Sequence, residues 1–375
     1  MGMRRFSKAV FLAAALGLGA GAAASVQVEP IARLGLEGGW DSNVLYDGRS
    51  DRLARVSPDL GVQLRDHTWN LRLSGGGDLL VYEARGAAVW NQRGDAALVA
   101  RLSERLTLDA QAVGTYAFDP VGLARFGIFG RTDSALLLRG GARLAWRASR
   151  DWRLSGTFQE RLVSFGDGTG AASHTPGVEA VRRLGRRLEL GGAYRFDAFQ
   201  GLGRGGFNGS AHELVGVARW RWTRRWSLEL EGGPVFWNGQ TGQFLIPQAA
   251  VQVLFHHRRA GDARVTVSHG VGLGYLAEPG LFDTVEGALT VRLGRRWQLH
   301  ADGGLWRSGQ VPSGAGAVTG YGLQGEIAYR LGGGVTVGLG GSRFARADVA
   351  NSSLYDRNTV GLRVGWELRH REGRH

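Results

Sequence analysis

The chain has 375 residues, no cysteine, 62 glycines but only 8 prolines, and a formal net charge of +13. This combination disfavours both helical and collagen-like proteins, and without cysteine no disulfide can hold the fold together. The basic residues are spread along the whole chain and do not form a patch, which argues against nucleic acid as a partner.

The N-terminus has the pattern of an export signal. Two arginines and Lys8 make a basic start, an apolar stretch follows, and small alanines end it before Ser25. A retained membrane helix is the alternative, but the apolar part is shorter than the roughly 20 residues that a span needs. We therefore predict a secretory signal peptide over residues 1–24 and one domain over residues 25–375.

Behind this signal, apolar and polar residues alternate in runs that are mostly 12 to 17 residues long. A period of two indicates a strand with one apolar and one polar face. Ordinary strands average about 5–6 residues, so runs of this length suit strands that cross a bilayer at a tilt. In chain order, the predicted strands cover residues 31–45, 54–65, 68–84, 91–103, 105–119, 132–148, 151–166, 173–184, 186–200, 209–222, 225–238, 244–257, 262–276, 281–294, 296–308, 318–331, 334–347 and 355–370.

The connections between these strands alternate in length. Those after even-numbered strands are tight, and those after odd-numbered strands are longer and rich in Gly, Asn and Asp. Short periplasmic turns and longer extracellular loops are typical of outer-membrane barrels, whereas a solenoid or propeller would show a fixed repeat length. The sequence predicts an all-β protein, a transmembrane antiparallel up-and-down β-barrel of about eighteen strands, with sixteen as the alternative.

Aromatic residues recur at two levels of these strands. The first set directly follows tight turns and the second comes 9–13 residues later. At roughly 3.3 Å per residue and a tilt near 40°, the two sets are about 25–30 Å apart, close to the height of the apolar band between two aromatic girdles. A general preference of aromatics for strands is the alternative. The predicted girdle residues are Trp69, Trp152, Trp226 and Trp297 at the turns, with Tyr82, Phe165, Phe236 and Trp306 at the other level.

The polar face of the strands carries charged side chains of both signs. A barrel of 16–18 strands leaves a water-filled lumen, so these side chains are predicted to line a pore. Two interpretations stay open: the charges stiffen the wall by lateral pairing, or a surplus of arginine attracts an anionic solute. The predicted pore-lining residues are Arg72, Arg101, Arg139, Arg143, Arg147, Arg153, Arg195, Arg219, Arg221, Arg264, Arg292, Arg330, Arg363, Glu229, Glu231, Glu286 and Glu326.

None of the candidate catalytic, cofactor or metal motifs has the structural context that its chemistry requires. Residues 201–206 match the glycine pattern of dinucleotide-binding proteins, but they lie in a loop with no helix to receive a phosphate. His256 and His257 sit in a short turn without matching ligand spacing. We expect no enzymatic activity, no cofactor and no metal.

The first two strands carry a family resemblance. The segments 40–43 (WDSN), 50–51 (SD) and 57–58 (SP) resemble the start of outer-membrane β-barrel porins that accompany bacterial exopolysaccharide systems, although Trp40 stands where tyrosine is more usual. An eighteen-strand barrel with an arginine-rich lumen is also similar to alginate-type exporters. The resemblance, which covers about thirty residues, implies polysaccharide export beside a periplasmic or inner-membrane export protein.

The resemblance implies a passive pore for an exopolysaccharide, and the arginines on the polar face favour a polymer with anionic groups. The alternatives are a general diffusion porin for small solutes and a structural or surface-binding barrel with a plugged lumen. The expected location is the outer membrane of a Gram-negative bacterium. The expected partners are outer-membrane lipid, lipopolysaccharide and the barrel-insertion machinery. The apolar loop segment 121–130 is predicted to fold into the mouth of the pore or to contact a partner.

Overall fold

The computed structural model describes residues 26–44, 48–84, 86–118, 134–203, 207–240, 242–273, 279–309, 311, 317–348 and 354–368. The predicted signal peptide (1–24) and the apolar loop segment (121–130) lie outside these residues. The strands are β1 (Gln27–Asp41), β2 (Asp51–Arg65), β3 (Trp69–Tyr82), β4 (Ala87–Arg101), β5 (Leu106–Ala117), β6 (Ala135–Arg147), β7 (Trp152–Phe165), β8 (Gly170–Leu184), β9 (Leu188–Leu202), β10 (Asn208–Trp220), β11 (Trp226–Gly239), β12 (Gly242–His257), β13 (Gly261–Leu273), β14 (Pro279–Leu293), β15 (Trp297–Gly309), β16 (Val318–Gly332), β17 (Val335–Asp348) and β18 (Leu354–Glu367). No helix among the described residues is long and apolar enough to span a membrane.

The strands form one closed antiparallel sheet. Each strand pairs with its neighbours in the chain, and β1 also pairs with β18, from Arg33 opposite Glu367 to Asp41 opposite Thr359. A closed sheet has no edge strand with unpaired backbone groups. The structure thus confirms the predicted up-and-down barrel with eighteen strands.

The first strand is displaced from its predicted position. It covers Gln27–Asp41, whereas residues 31–45 were expected. The strand ends at Asp41 because its carboxylate accepts a hydrogen bond from the backbone N–H of Asn43 (3.1 Å), the local turn that Asp and Asn favour.

Contacts between strands that are not neighbours identify the inward face. Arg161 on β7 donates from Nη1 to the carbonyl oxygen of Leu273 on β13 (2.9 Å), so this parity of β7 points into the lumen. The register, with Arg139 opposite Arg161, carries the assignment from strand to strand. The opposite parity exposes large apolar side chains, such as Leu60 at 66% and Leu245 at 65%. Soluble proteins rarely expose so much contiguous apolar surface, so this outward face is suited to lipid.

Polar pairs limit the apolar outward face at the end of the barrel where the longer loops lie, called here the long-loop end. On β7, the outward Glu160 lies 3.8 Å from His174 of β8. The distance from Trp152 at the opposite, short-turn end to Glu160 is eight residues, about 20 Å along the membrane normal at 3.3 Å per residue and a 40° tilt. The strands therefore extend beyond the apolar band at the long-loop end.

The predicted girdle at the long-loop level is wrong for three of its four residues. Tyr82 and Phe165 are only 1% and 4% exposed, and Trp306 packs against a buried inward cluster. They lie 13, 13 and 9 residues after the tryptophan of their own strand, and an odd separation places two residues on opposite faces. Phe236 follows Trp226 by an even separation and is 48% exposed on the outward face. The structure places Trp69, Trp152, Trp226 and Trp297 on the outward parity at the short-turn end.

Inward aromatic rings lie flat on glycines of the adjacent strands, which accounts for part of the high glycine content. A Cβ added to Gly320 on β16 would collide with the indole of Trp306 on β15. The indole of Trp237 on β11 similarly covers Gly209 on the adjacent strand β10 and Gly239 on its own strand, where an added Cβ would meet ring atoms at 2.8 and 2.6 Å. An aromatic ring that covers a neighbouring glycine restores the packing that the glycine lacks.

We expect Gly320→Ala to lower the free energy of unfolding by about 1–3 kcal/mol, because the rigid indole of Trp306 must leave its packed position. Urea unfolding of the refolded protein in detergent, followed by tryptophan fluorescence, measures the change. Gly365→Ala is the matched control, since no atom lies within 4 Å of an added Cβ there. Equal stability of the two variants would contradict the packing role.

Candidate pore lumen

One ladder of charged side chains crosses the inward face from β6 to β10. Arg143 donates from Nη2 to Glu179 (2.9 Å), and Arg219 donates from both Nη1 and Nη2 to the same carboxylate (3.1 and 2.6 Å). Both contacts pass over an intervening strand, because the inward residues opposite Glu179, Ser155 on β7 and Ala193 on β9, are small. The bidentate geometry fixes the guanidinium against the wall. Glu179 is thus the shared acid of two predicted pore-lining arginines.

A second group of charges lies on β9 to β12. Arg195 donates from Nη2 to Glu231 (2.6 Å) and lies 3.7 Å from Glu213, which also accepts a hydrogen bond from Gln248 (3.1 Å). Together with Arg161, these side chains line a cavity of about 390 Å³ between the β7–β11 wall and β12–β14. A solute in this cavity would meet guanidinium and carboxylate groups that lie close to one another.

The opposite wall repeats this pairing on β16 to β2. Arg55 donates to Glu37 (3.0 Å), and Arg363 lies 3.7 Å from Glu326. These residues line a further cavity of about 260 Å³. Partly hydrated ion pairs contribute only about 0.2–1 kcal/mol each, so their main effect is to set the potential that a solute meets.

Arginines without an acid partner gather at the short-turn end of the lumen. Within the described part of the chain, six of the predicted pore-lining arginines make no ion pair, and all six are exposed at the strand ends beside the tight turns. We call this group the mouth ring. It consists of Arg101, Arg147, Arg221, Arg264, Arg292 and Arg330.

The tight turns next to the mouth ring add further positive charge. Arg150, Arg186, Arg224, Arg258 and Arg295 are five exposed examples. The predicted pore-lining residues therefore divide into two sets. The paired residues lie along the wall, and the arginines without an ion pair surround one opening.

The remaining predicted pore-lining residues also lie on the inward parity. Arg72 lies 4.0 Å from Asp95, Arg153 lies 3.0 Å from Glu189, and Glu229 lies 4.0 Å from Arg219. The register places Arg139 opposite Arg161 and Glu286 opposite Thr266 on neighbouring strands.

Towards the long-loop end, the inward face becomes apolar. Val163, Phe165, Phe199, Val235 and Trp237 belong to one buried cluster that extends over several strands. The hydrogen bond from Arg161 to the β13 backbone crosses the lumen at this level. Apolar side chains and a cross-lumen contact narrow the passage here. The sequence pattern did not predict this packing, and it placed Phe165 on the outward face instead.

A buried ion pair at the rim was also missed. Arg357 on β18 donates from Nε to Asp41 on β1 (3.0 Å), and the two side chains are 1% and 0% exposed. Ser42 and Asn358 exchange hydrogen bonds next to this pair (2.9 and 2.8 Å). The segment 40–43, which carries the family resemblance, thus joins the first strand to the last.

The described residues contain no group of three or more His, Cys, Asp or Glu side chains that could hold a metal ion.

No protein-family model matches the chain, and no curated protein matches it. Among solved structures, OccAB3 of Acinetobacter baumannii is 9% identical over 91% of this chain and 99% of its own, with a TM-score of 0.43. OccK11 (OpdR) of Pseudomonas aeruginosa is 14% identical over 90% and 96%, also with a TM-score of 0.43. The FrpB iron transporter of Neisseria meningitidis (F3-3 variant) is 11% identical over 85% of this chain, which spans 62% of FrpB, with a TM-score of 0.42. Structural similarity at this level gives no information about the function of this chain.

We expect Glu179→Gln to make the lumen more selective for anions, because Arg143 and Arg219 then lose their shared negative charge. The reversal potential of single channels in a potassium chloride gradient measures this shift. Glu160→Gln removes the same charge from the outward face and is the matched control. An equal shift in both variants would show that the inward ladder does not set selectivity.

We expect Arg161→Ala to raise single-channel conductance roughly 1.5- to 2-fold, because it removes the side chain that crosses the lumen. The control is Arg182→Ala, an outward arginine of β8 that lies over the ring of Trp152. Unchanged conductance in Arg161→Ala would place the narrowest point elsewhere.

Proposed function

We propose that this protein is a passive channel of the Gram-negative outer membrane through which an anionic polysaccharide is exported. The observation that carries the proposal is the mouth ring, six unpaired arginines around one opening of a closed barrel. In the proposed orientation, the tight turns and the mouth ring face the periplasm, as short turns do in outer-membrane barrels.

The mouth ring would gather polyanions by long-range attraction. A ring of like charge raises the local concentration of an oppositely charged solute. At physiological salt, this attraction reaches about 8 Å, so it acts mainly within the opening. The arginines are exposed and hydrated, so each contact is weak, and a polymer can leave as well as enter.

The paired charges along the wall would guide the polymer beyond the mouth. Arg143, Arg195 and Arg219 are each held by an acid, yet they remain partly exposed to the lumen. A guanidinium held in place can bind a passing carboxylate or sulfate without losing its partner. Several such weak sites in series favour movement over tight binding.

A general diffusion porin for small solutes is the second candidate. The contact from Arg161 to Leu273 and the apolar cluster narrow the long-loop end. The polar cavity below them holds about 390 Å³, the size of a small-molecule site. These observations favour small anions over a thick polymer unless the narrow level opens. A structural barrel with a plugged lumen is the third possibility, which conductance tests directly.

The proposed location implies several partners. The outward apolar band would contact outer-membrane lipid and lipopolysaccharide. A chain exported by the predicted signal peptide would need the barrel-insertion machinery to enter the membrane. A periplasmic polysaccharide-export protein would deliver the polymer to the positively charged mouth.

We expect refolded protein in a planar bilayer to conduct, and an anionic oligosaccharide such as oligoalginate to block the current more strongly from the short-turn side. A neutral oligosaccharide of equal length is the control. Conductance without block would favour the diffusion porin, and a lack of conductance would favour the structural barrel.

We expect the combined variant Arg147→Gln, Arg221→Gln and Arg292→Gln to weaken this block about tenfold, because half of the mouth ring is neutralised. The matched control is Arg52→Gln, Arg182→Gln and Arg343→Gln, which removes three outward arginines. Equal block in both triple variants would contradict a role of the mouth ring in capture.

A further inference from the structure

We propose that an outward groove across β12–β17 binds the lipid A part of one lipopolysaccharide molecule, with a phosphate held by Arg307. The groove has a volume of about 610 Å³ and is lined mainly by apolar outward side chains, among them Val251, Val267, Val285 and Leu305. The site goes beyond the proposed transport function but rests on the membrane placement that the function requires.

Strands β13 and β14 form one flank of the groove. The end of β13 approaches the opposite wall, where the carbonyl oxygen of Leu273 accepts the hydrogen bond from Arg161. The outward side chains of Thr319, Tyr321 and Ala345 on β16 and β17 form the other flank of the groove. The outward side chains of these strands thus enclose a groove.

A row of polar residues crosses the long-loop end of this groove. His269, Asp283, Arg307 and Thr319 lie directly opposite one another on four successive strands. The row is immediately above the apolar residues Val267, Val285 and Leu305 in the same register. Acyl chains in the groove would thus place a lipid headgroup at the row.

Arg307 is the headgroup ligand in this row. His269 already holds the carboxylate of Asp283 (Nδ1 to Oδ1, 2.7 Å). Within the described part of the chain, Arg307 is exposed on the lipid side and makes no ion pair. A cation at the edge of the apolar band attracts anionic lipid headgroups, and guanidinium binds phosphate in bidentate geometry. A phosphate at the membrane surface satisfies both requirements.

The membrane leaflet in which the polar row lies determines which lipid it would bind. In the proposed orientation, the long-loop end faces outward, so the row lies in the outer leaflet with lipopolysaccharide. A second outward groove on β5–β9, of about 390 Å³, is lined by Leu144, Phe158, Val178 and other residues without any charge. This second groove can accept acyl chains but offers no ligand for a phosphate, so it serves as the internal control.

Native mass spectrometry of the full refolded chain in detergent tests the proposal, with diphosphorylated lipid A as the probe. We expect Arg307→Gln to weaken binding about tenfold, the loss of one charged hydrogen-bonded contact, and to leave the binding of fully dephosphorylated lipid A unchanged. Val285→Phe, which fills the groove, is expected to weaken the binding of both probes. The controls Arg52→Gln and Val178→Phe are expected to bind as the parent protein does.

Binding that is insensitive to Arg307→Gln, or equal binding of phosphatidylglycerol and lipid A, would overturn the proposal. So would a dimer that Val285→Phe dissociates, since a second copy would then occupy the groove. Because lipid binding is measured in detergent and conductance in a bilayer, failure of the groove and failure of the channel are distinguishable. Circular dichroism of each variant verifies that the barrel is folded.

Discussion

Closure of the sheet between its first and last strands is the constraint on which the rest of the molecule depends. In lipid, a backbone group without a partner costs several kcal/mol, so a spanning sheet must have no free edge. The contact between β1 and β18 carries an ion pair near each end. Arg33 pairs with Glu367 (2.9 Å) towards the short-turn end, and Asp41 pairs with Arg357 at the long-loop rim. The rim pair is fully buried, so removal of one partner would leave an uncompensated charge at the seam.

Once the sheet is closed, the two-residue period of each strand separates two environments. The outward parity meets an apolar medium over about eight residues per strand, and the inward parity faces the lumen. An inward arginine such as Arg219 can then pair with an acid two strands away, because the residues between them are small. By the same separation, the outward Arg307, which makes no ion pair among the described residues, faces the membrane, where a lipid phosphate is its proposed partner. Closure of the sheet thus determines which charged side chains can pair with other residues of the protein.

Alternation and turn length were enough to predict the number of strands and most of their positions from the sequence. The pattern also placed the pore-lining arginines on one parity, because alternation along a strand is a local property. It could not say which level of a face is packed. Phe165 and Trp306 share the parity of charged residues, yet they lie in an apolar cluster, since the strands extend beyond the membrane at that end. The contact from Arg161 to Leu273 joins residues 112 positions apart and left no local signal.

The segments that carry the family resemblance make structural contacts, so the resemblance says little about function. Asp41 pairs with Arg357, Asp51 accepts a hydrogen bond from the backbone N–H of Ala84 (2.9 Å), and Ser57 donates to Asp78. All three contacts fasten β1, β2 and their neighbours at the long-loop end. A shared motif of this kind is required by any barrel that seals its seam in the same way, whatever passes through it. The case for an anionic cargo therefore rests on the mouth ring, at the opposite end of the lumen, where the six described arginines make no ion pair.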